Sequence, residues 1–127
     1  MDLKTCDLEV VDKVIASAIE VHKTIGPGLL ETVYRQALSI EFDQRGVHHV
    51  TEIGIPASYK GTYLTVGFRA DIIVEDSLLL ELKVVRKISD SHVAQTITYL
   101  RLLGYKTGLI LNFYNPKMVH GIRRISI

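Results

Sequence analysis

The chain has 127 residues, of which 47% are hydrophobic and 23% are charged. This length fits one domain (1–127) with a core of its own, and the composition excludes disorder and low complexity. The 15 Lys and Arg residues against 14 Asp and Glu residues give a formal net charge of +1, which excludes a protein that coats nucleic acid through many phosphate contacts.

Two helices are predicted at the start of the chain. Apolar residues recur every three or four positions from residue 9 to residue 25, which is typical of an amphipathic helix. Gly26, Pro27 and Gly28 interrupt this pattern, because proline cannot continue a helix and glycine permits unusual backbone angles. A second helix is predicted over residues 29–44 with Gly46 after its end, and its inward face is expected to be formed by Leu30, Val33, Ala37 and Ile40.

The hydrophobic period then changes to two, which predicts strands over residues 47–55, 63–74 and 78–84. Lys60 and Gly61 predict one turn, and residues 75–77 predict the next. In the second strand one face is apolar and is formed by Val66, Phe68, Ala70, Ile72 and Val74, while Arg69 and Asp71 lie on the other. In the third strand Glu81 and Lys83 share a face, because side chains two residues apart on a strand point the same way.

The last part of the chain predicts one helix between strands. Ser89 or Asp90 is the expected N-cap of a helix over residues 92–103, and Gly104 ends it. Residues 107–113 form an apolar run of the kind that is buried on both faces, and residues 119–127 are predicted to be the last strand. The order ααβββαββ indicates an α/β or α+β sandwich with a mixed central sheet flanked by helices.

Asp71, Glu81 and Lys83 are the predicted chemical centre. A tight turn between their strands places Asp71 near the level of Glu81. The two carboxylates could bind Mg²⁺ or Mn²⁺ together with the backbone carbonyl of Leu82, and Lys83 could orient a water molecule or stabilise developing charge. An isolated ExK triplet is a common accident, and an exposed ion pair explains it equally well. Here, however, the two charges interrupt the most hydrophobic stretch of the chain, where burial is costly without a function or a partner.

A second signal lies at the start of the second helix. Glu31 and Tyr34 are three residues apart and share a helix face, after Gly28. Glu31 alone would be explained by the helix dipole, which favours an acidic residue in the first turn.

Taken together, these motifs resemble the GxxExxY family, which is assigned to the PD-(D/E)xK nuclease-like superfamily. The resemblance rests on Gly28, Glu31 and Tyr34, on Arg69 to Asp71, and on Glu81 to Lys83. It continues through further segments over most of the chain: Glu52 with Ile55 and Pro56, Tyr59 to Gly61, Ala94 and Gln95 with Tyr99 and Leu100, and residues 108–113. Ala70 stands where some superfamily members have proline.

The resemblance implies a restriction-endonuclease-like core and a site drawn from two strands and two helices. Asp71 and Glu81 would be the metal carboxylates and Lys83 the superfamily's lysine. Glu31 would be a further acidic ligand, and Gln95 the glutamine of the helix that follows the lysine strand. Four further residues are candidates for accessory roles at this site: Tyr34, Arg69, His92 and Tyr99. A capping role for His92 stays equally open.

Three functions are compatible with this pattern. The first is a metal-dependent nuclease acting on nucleic acid, with DNA favoured over RNA. The second is a catalytically quiet nuclease-like module that binds nucleic acid or protein, with a homodimer as one arrangement. The third, with less support, is a small-molecule enzyme using the same pocket. Because Cys6 has no partner and no segment resembles a membrane span or secretion signal, a cytoplasmic location is expected.

Overall fold

The computed structural model describes residues 2–64 and 67–127, which form three α-helices and seven β-strands. The helices are α1 (Leu8–Ile25), α2 (Glu31–Arg45) and α3 (Asp90–Leu103). The strands are β1 (His49–Ile55), β2 (Ser58–Tyr59), β3 (Thr62–Tyr63), β4 (Phe68–Val74), β5 (Leu78–Lys83), β6 (Thr107–Asn112) and β7 (Ile122–Ser126), and a 3-10 turn at Met118–Gly121 precedes the last of them. None of the helices in these described ranges has the length and apolar character needed to cross a membrane.

Five of the strands form one mixed sheet in the order β1-β4-β5-β6-β7. β5 and β6 are parallel and the other neighbours are antiparallel. Helix α3 provides the crossover that a parallel pair requires. The predicted fold class, a mixed central sheet flanked by helices in a restriction-endonuclease-like arrangement, is confirmed.

The two faces of the sheet have separate hydrophobic cores. Helices α1 and α2 cover one face, where Leu78, Leu80 and Leu82 of β5 are buried. Helix α3 covers the other face, where Leu79 of β5 is buried. Since alternate residues of a strand face opposite ways, Glu81 and Lys83 share the α3 side with Leu79. The fold therefore places the charged end of β5 beneath α3.

The inward face predicted for α2 is wrong. The buried residues of this helix are Tyr34, Leu38 and Phe42, whereas the predicted face is exposed at Leu30, Val33 and Ile40 and only half-buried at Ala37. Both sets have helical spacing, so the periodicity by itself does not choose between them. The packing does, because the ring of Tyr34 stacks on Phe113 with 4.2 Å between ring centroids.

Several predicted strand ends also differ from the structure. The strand predicted over residues 47–55 begins at His49, and the one predicted over 63–74 begins at Phe68. Its predicted apolar residue Val66 lies outside the described residues. Lys60 and Gly61 form a turn as predicted, but that turn joins the short strands β2 and β3, which are additional to the predicted order. The strand predicted over 119–127 is shorter, because the 3-10 turn occupies its first residues.

Candidate active site

The β4-β5 hairpin brings Asp71 and Glu81 together. Its register pairs Val74 with Leu78 and Ile72 with Leu80, where the ladder ends. Asp71 and Glu81 lie one residue further along each strand, and their side chains are hydrogen-bonded. The turn between the strands is closed by a hydrogen bond from Ser77 N–H to the Val74 carbonyl, at 3.1 Å. The predicted proximity of the two carboxyl groups thus follows from a short local connection.

Glu81 is a buried acid with an incomplete set of partners. Its residue is 3% exposed, and among the described residues its Oε1 atom has no hydrogen-bond partner. Burial, and then the hydrogen bond and negative charge of Asp71, raise the pKa of Glu81 to about 9, and Lys83 offsets this only in part. At neutral pH Glu81 is therefore protonated. Asp71 is oriented by the backbone, since its Oδ2 accepts a hydrogen bond from Leu82 N–H at 2.8 Å.

Lys83 lies two residues beyond Glu81, at the end of β5, and is half-buried. The backbone around it is held to the parallel strand β6. The Lys83 carbonyl accepts a hydrogen bond from Phe113 N–H at 2.9 Å. The buried Asn112 side chain, opposite Lys83, accepts from Val85 N–H at 3.1 Å and donates to the Val85 carbonyl at 2.7 Å. These contacts fix the backbone at the end of β5 and therefore the position of the Lys83 Cα atom.

The segment from Gly28 to Tyr34 attaches α2 to this same end of the sheet. Gly28, with φ +78°, donates its N–H to the Phe113 carbonyl at 3.1 Å. The fully buried Tyr34 donates its hydroxyl to the Gly26 carbonyl at 2.6 Å and accepts from Leu29 N–H at 3.0 Å. Tyr34 is thus part of the core and holds the loop before α2.

Glu31 is the first residue of α2 and is exposed. Its negative charge contributes, as a lesser cause, to the raised pKa of Glu81. The structure therefore places Glu31 close enough to act on the buried acid through its charge.

Helix α3 carries Gln95, which is exposed, and Tyr99, which is buried near the acid pair. Gln95 Nε2 donates to the Tyr99 hydroxyl at 3.3 Å. Burial and then the charge of Glu81 raise the pKa of the Tyr99 phenol. Its ring also packs on Phe68 at the start of β4, with 5.5 Å between centroids.

The side chains of two other accessory candidates, His92 and Arg69, have no contact with the acid pair among those described. His92 caps α3: its Nδ1 accepts from Ser89 N–H at 3.0 Å, and its own N–H donates to Ser89 Oγ at 3.2 Å. This confirms Ser89 as the N-cap and favours the capping role for His92. Arg69 has an exposed side chain on β4, two residues before Asp71.

Sequence reasoning missed an arginine beside the acid pair. Arg35 of α2 donates to Glu52 Oε1 at 3.1 Å, and its Nη1 lies 4.0 Å from Asp71 Oδ1. Glu52 stands between the β1-β4 pairs at Thr51 and Ile53, and so faces Asp71. No local pattern signals this contact, because it joins a helix to two strands far apart in the sequence.

The acid pair supplies part of the donor set that a divalent cation needs. Within residues 2–64 and 67–127, no group of three or more His, Cys, Asp and Glu side chains is arranged to hold a metal ion. Asp71 and Glu81 nevertheless form a pair of oxygen donors with one orphaned buried oxygen, which suits a hard cation. Further donors would have to come from the Leu82 carbonyl, from Glu31 or from water.

Comparisons with known proteins bear on the family and the fold of the chain. A family model described as the PD-(D/E)XK nuclease superfamily matches residues 8–125. Among solved structures, the chain is similar to the crystal structure of SSO0001, with a TM-score of 0.52 and 17% sequence identity over 99% of this chain and 68% of that one. At that identity the likeness shows the fold alone. A search of curated proteins finds no match.

Proposed function

Since the chain belongs to the PD-(D/E)XK nuclease superfamily, we propose that it is a metal-dependent nuclease that hydrolyses phosphodiester bonds, in DNA in preference to RNA. The observation that carries the proposal is the pair formed by the buried Glu81 and the half-buried Asp71, beside Lys83. Two neighbouring carboxyl groups and an orphaned oxygen reduce the stability of a core, and a bound cation would reverse this cost.

Nucleases of this superfamily typically use divalent metals, and Mg²⁺ or Mn²⁺ is the proposed ion. Asp71 and Glu81 would hold it, with the Leu82 carbonyl and Glu31 as further donors. When bound, such an ion lowers the pKa of water and neutralises charge on a phosphate. Glu81 must release its proton for this, while Asp71 stays oriented by Leu82 N–H.

The remaining roles belong to groups around the acid pair. The Lys83 ammonium would orient the attacking water or stabilise negative charge that develops on the phosphate oxygens. Gln95 and Tyr99, which are hydrogen-bonded to each other, would contact the substrate or the water from the α3 side. Arg69, exposed two residues before Asp71, would contact a phosphate outside the centre.

We also propose that the chain belongs to the GxxExxY family within the superfamily, and that residues 1–127 act as one nuclease-like domain. The contacts made by the signature residues Gly28, Glu31 and Tyr34 support the first of these proposals. Gly28 and Tyr34 join the loop before α2 to the end of β6, and Glu31 follows that loop directly.

A second candidate function is a catalytically quiet module that binds nucleic acid or a protein partner, including a second copy of the chain. One observation favours it: the guanidinium of Arg35 already lies beside Asp71, where its positive charge competes with a cation. In this reading the ion pair between helix and strand replaces the metal.

Cleavage and metal binding separate the two candidates. Labelled single-stranded, duplex and branched DNA and RNA would be incubated with the protein in Mg²⁺ or Mn²⁺, and metal binding would be followed by calorimetry. Asp71→Asn and Lys83→Met should each abolish cleavage, and only Asp71→Asn should also weaken metal binding. The matched surface variants Asp12→Asn and Lys23→Met should behave as the wild type, because both residues are exposed on α1.

Absence of both metal binding and cleavage on every substrate would refute the nuclease proposal and favour the quiet module. The stability of Lys83→Met separates the two candidates independently of cleavage. A structural ion-pair partner should lower the unfolding free energy when it is removed, whereas a catalytic lysine should leave it unchanged or raise it.

A further inference from the structure

The β2-β3 hairpin carries two strongly exposed aromatic side chains. Tyr59 is 62% exposed and Tyr63 is 66% exposed. Tyr59 pairs with Thr62 and Tyr63 with Ser58, so the two rings project from opposite faces of this narrow ribbon. Each ring therefore offers a flat aromatic face on which a planar group could stack.

A lysine lies at the tip of the same hairpin. Lys60 and Gly61 form the turn, with φ of +47° and +83°. Two-residue hairpin turns with positive φ at both positions favour Asn-Gly or Gly-Gly, so a lysine there carries a conformational cost. Its ammonium lies 5.4 Å from the centroid of the Tyr59 ring. The tip therefore presents a positive charge over the ring of Tyr59.

The β2-β3 hairpin extends from the end of the β1-β4 ladder that carries Phe68. Ile55 and Phe68 are the last pair of the β1-β4 ladder, and Leu64 N–H donates to the Ala57 carbonyl at 2.9 Å just beyond it. Asp71 is three residues from Phe68, which is about 10 Å along a strand. The partly exposed Phe68 ring in turn packs on Tyr99 of the candidate site.

We propose that this aromatic hairpin stacks on unpaired bases and directs single-stranded nucleic acid toward the acid pair. The inference rests on the nuclease function proposed above and adds the form of its substrate. Aromatic rings stack on any base whose face is free, and the faces of the bases in a duplex are covered by their neighbours. A net charge of +1 supports few phosphate contacts, so stacking must supply much of the affinity.

Binding measured without cleavage tests the inference. Fluorescence anisotropy in EDTA would give the affinity of the wild-type protein for a labelled single strand and for a duplex of the same sequence. The single strand should bind more tightly. Tyr59→Ala combined with Tyr63→Ala should weaken single-strand binding about tenfold or more, since each base-ring stack contributes a substantial factor.

Two control proteins make the result specific. Tyr59→Phe with Tyr63→Phe keeps both rings and should bind within about twofold of wild type. Leu8→Ala with Val119→Ala removes exposed apolar side chains that lie outside the hairpin and should also bind as wild type. Thermal unfolding of each variant confirms that the fold is intact.

The outcomes are distinguishable from those of the cleavage assay. Failure of the wild type to bind a single strand, or equal binding by the double alanine variant, overturns the hairpin inference even if the protein cleaves DNA. A change in sedimentation mass without a change in affinity overturns it too, because the hairpin is then a protein interface. Intact single-strand binding with neither metal binding nor cleavage refutes the nuclease proposal and delivery of the strand to the acid pair, and leaves only base stacking on the hairpin standing.

Discussion

Replacing Glu81 with glutamine should stabilise the metal-free protein at alkaline pH while abolishing metal binding. The pKa of Glu81 is raised from 4.5 to about 9 in the folded protein, chiefly by burial. Between these two pH values the folded state holds a proton that the unfolded state releases. Stability therefore falls as the pH rises through this window, by at most about 1.4 kcal/mol per pH unit for one proton.

The magnitude follows from the same window. Between pH 5 and pH 8 the metal-free wild type should lose roughly 4 kcal/mol of unfolding free energy through this one group. Glu81→Gln cannot ionise, and its amide can still donate a hydrogen bond to Asp71. Its profile should lack this fall, so the difference between the two proteins should widen from pH 5 to pH 8.

Urea denaturation in EDTA at half-unit steps of pH is the appropriate assay, because other titrating groups cancel in the difference between the two proteins. Added Mg²⁺ should restore the wild type at pH 8 by binding only the folded state, and should not affect Glu81→Gln. Parallel profiles for the two proteins across the whole range would refute the reasoning, since Glu81 would then ionise as freely folded as unfolded.

Three further substitutions, each followed by urea denaturation, test the residues that hold the loops and helix ends around the site. Tyr34→Phe removes a buried hydroxyl that makes two hydrogen bonds and should cost about 1–3 kcal/mol, and an unchanged midpoint would contradict its role in the loop. Ser89→Ala should cost about 1 kcal/mol through loss of the N-cap, whereas the exposed neighbour change Ser91→Ala should cost much less. Asn112→Leu leaves both backbone groups of Val85 unpaired and should cost about 1–3 kcal/mol, unlike a tolerated surface change.

Much of the fold could be predicted because it is local in the sequence. The period of two in β5 places Glu81 and Lys83 on one side, and the turn after Val74 returns the chain so that Asp71 meets Glu81. Ser89 and Gly104 mark the ends of α3 through their own capping chemistry. Each of these inferences needs only residues within a few positions of one another.

Prediction from local spacing failed in α2, where two sets of apolar residues have equally regular helical spacing. In α2 the set from Leu30 to Ile40 and the set from Tyr34 to Phe42 both form helical stripes, and only docking against Phe113 selects the second. The sequence likewise does not predict β2 and β3 as separate strands, because two residues are too few to show a period.

By itself, then, the sequence predicted which residues form the candidate centre, since the types and spacings of Asp71, Glu81 and Lys83 are local properties. Only the tertiary structure decided the protonation of Glu81 and the charged neighbours of Asp71. The burial that raises the pKa of Glu81, and the approach of Arg35 to Asp71, arise from packing between segments far apart in the chain. Solvation and long-range charge are set by what surrounds a side chain, and that neighbourhood exists only after folding.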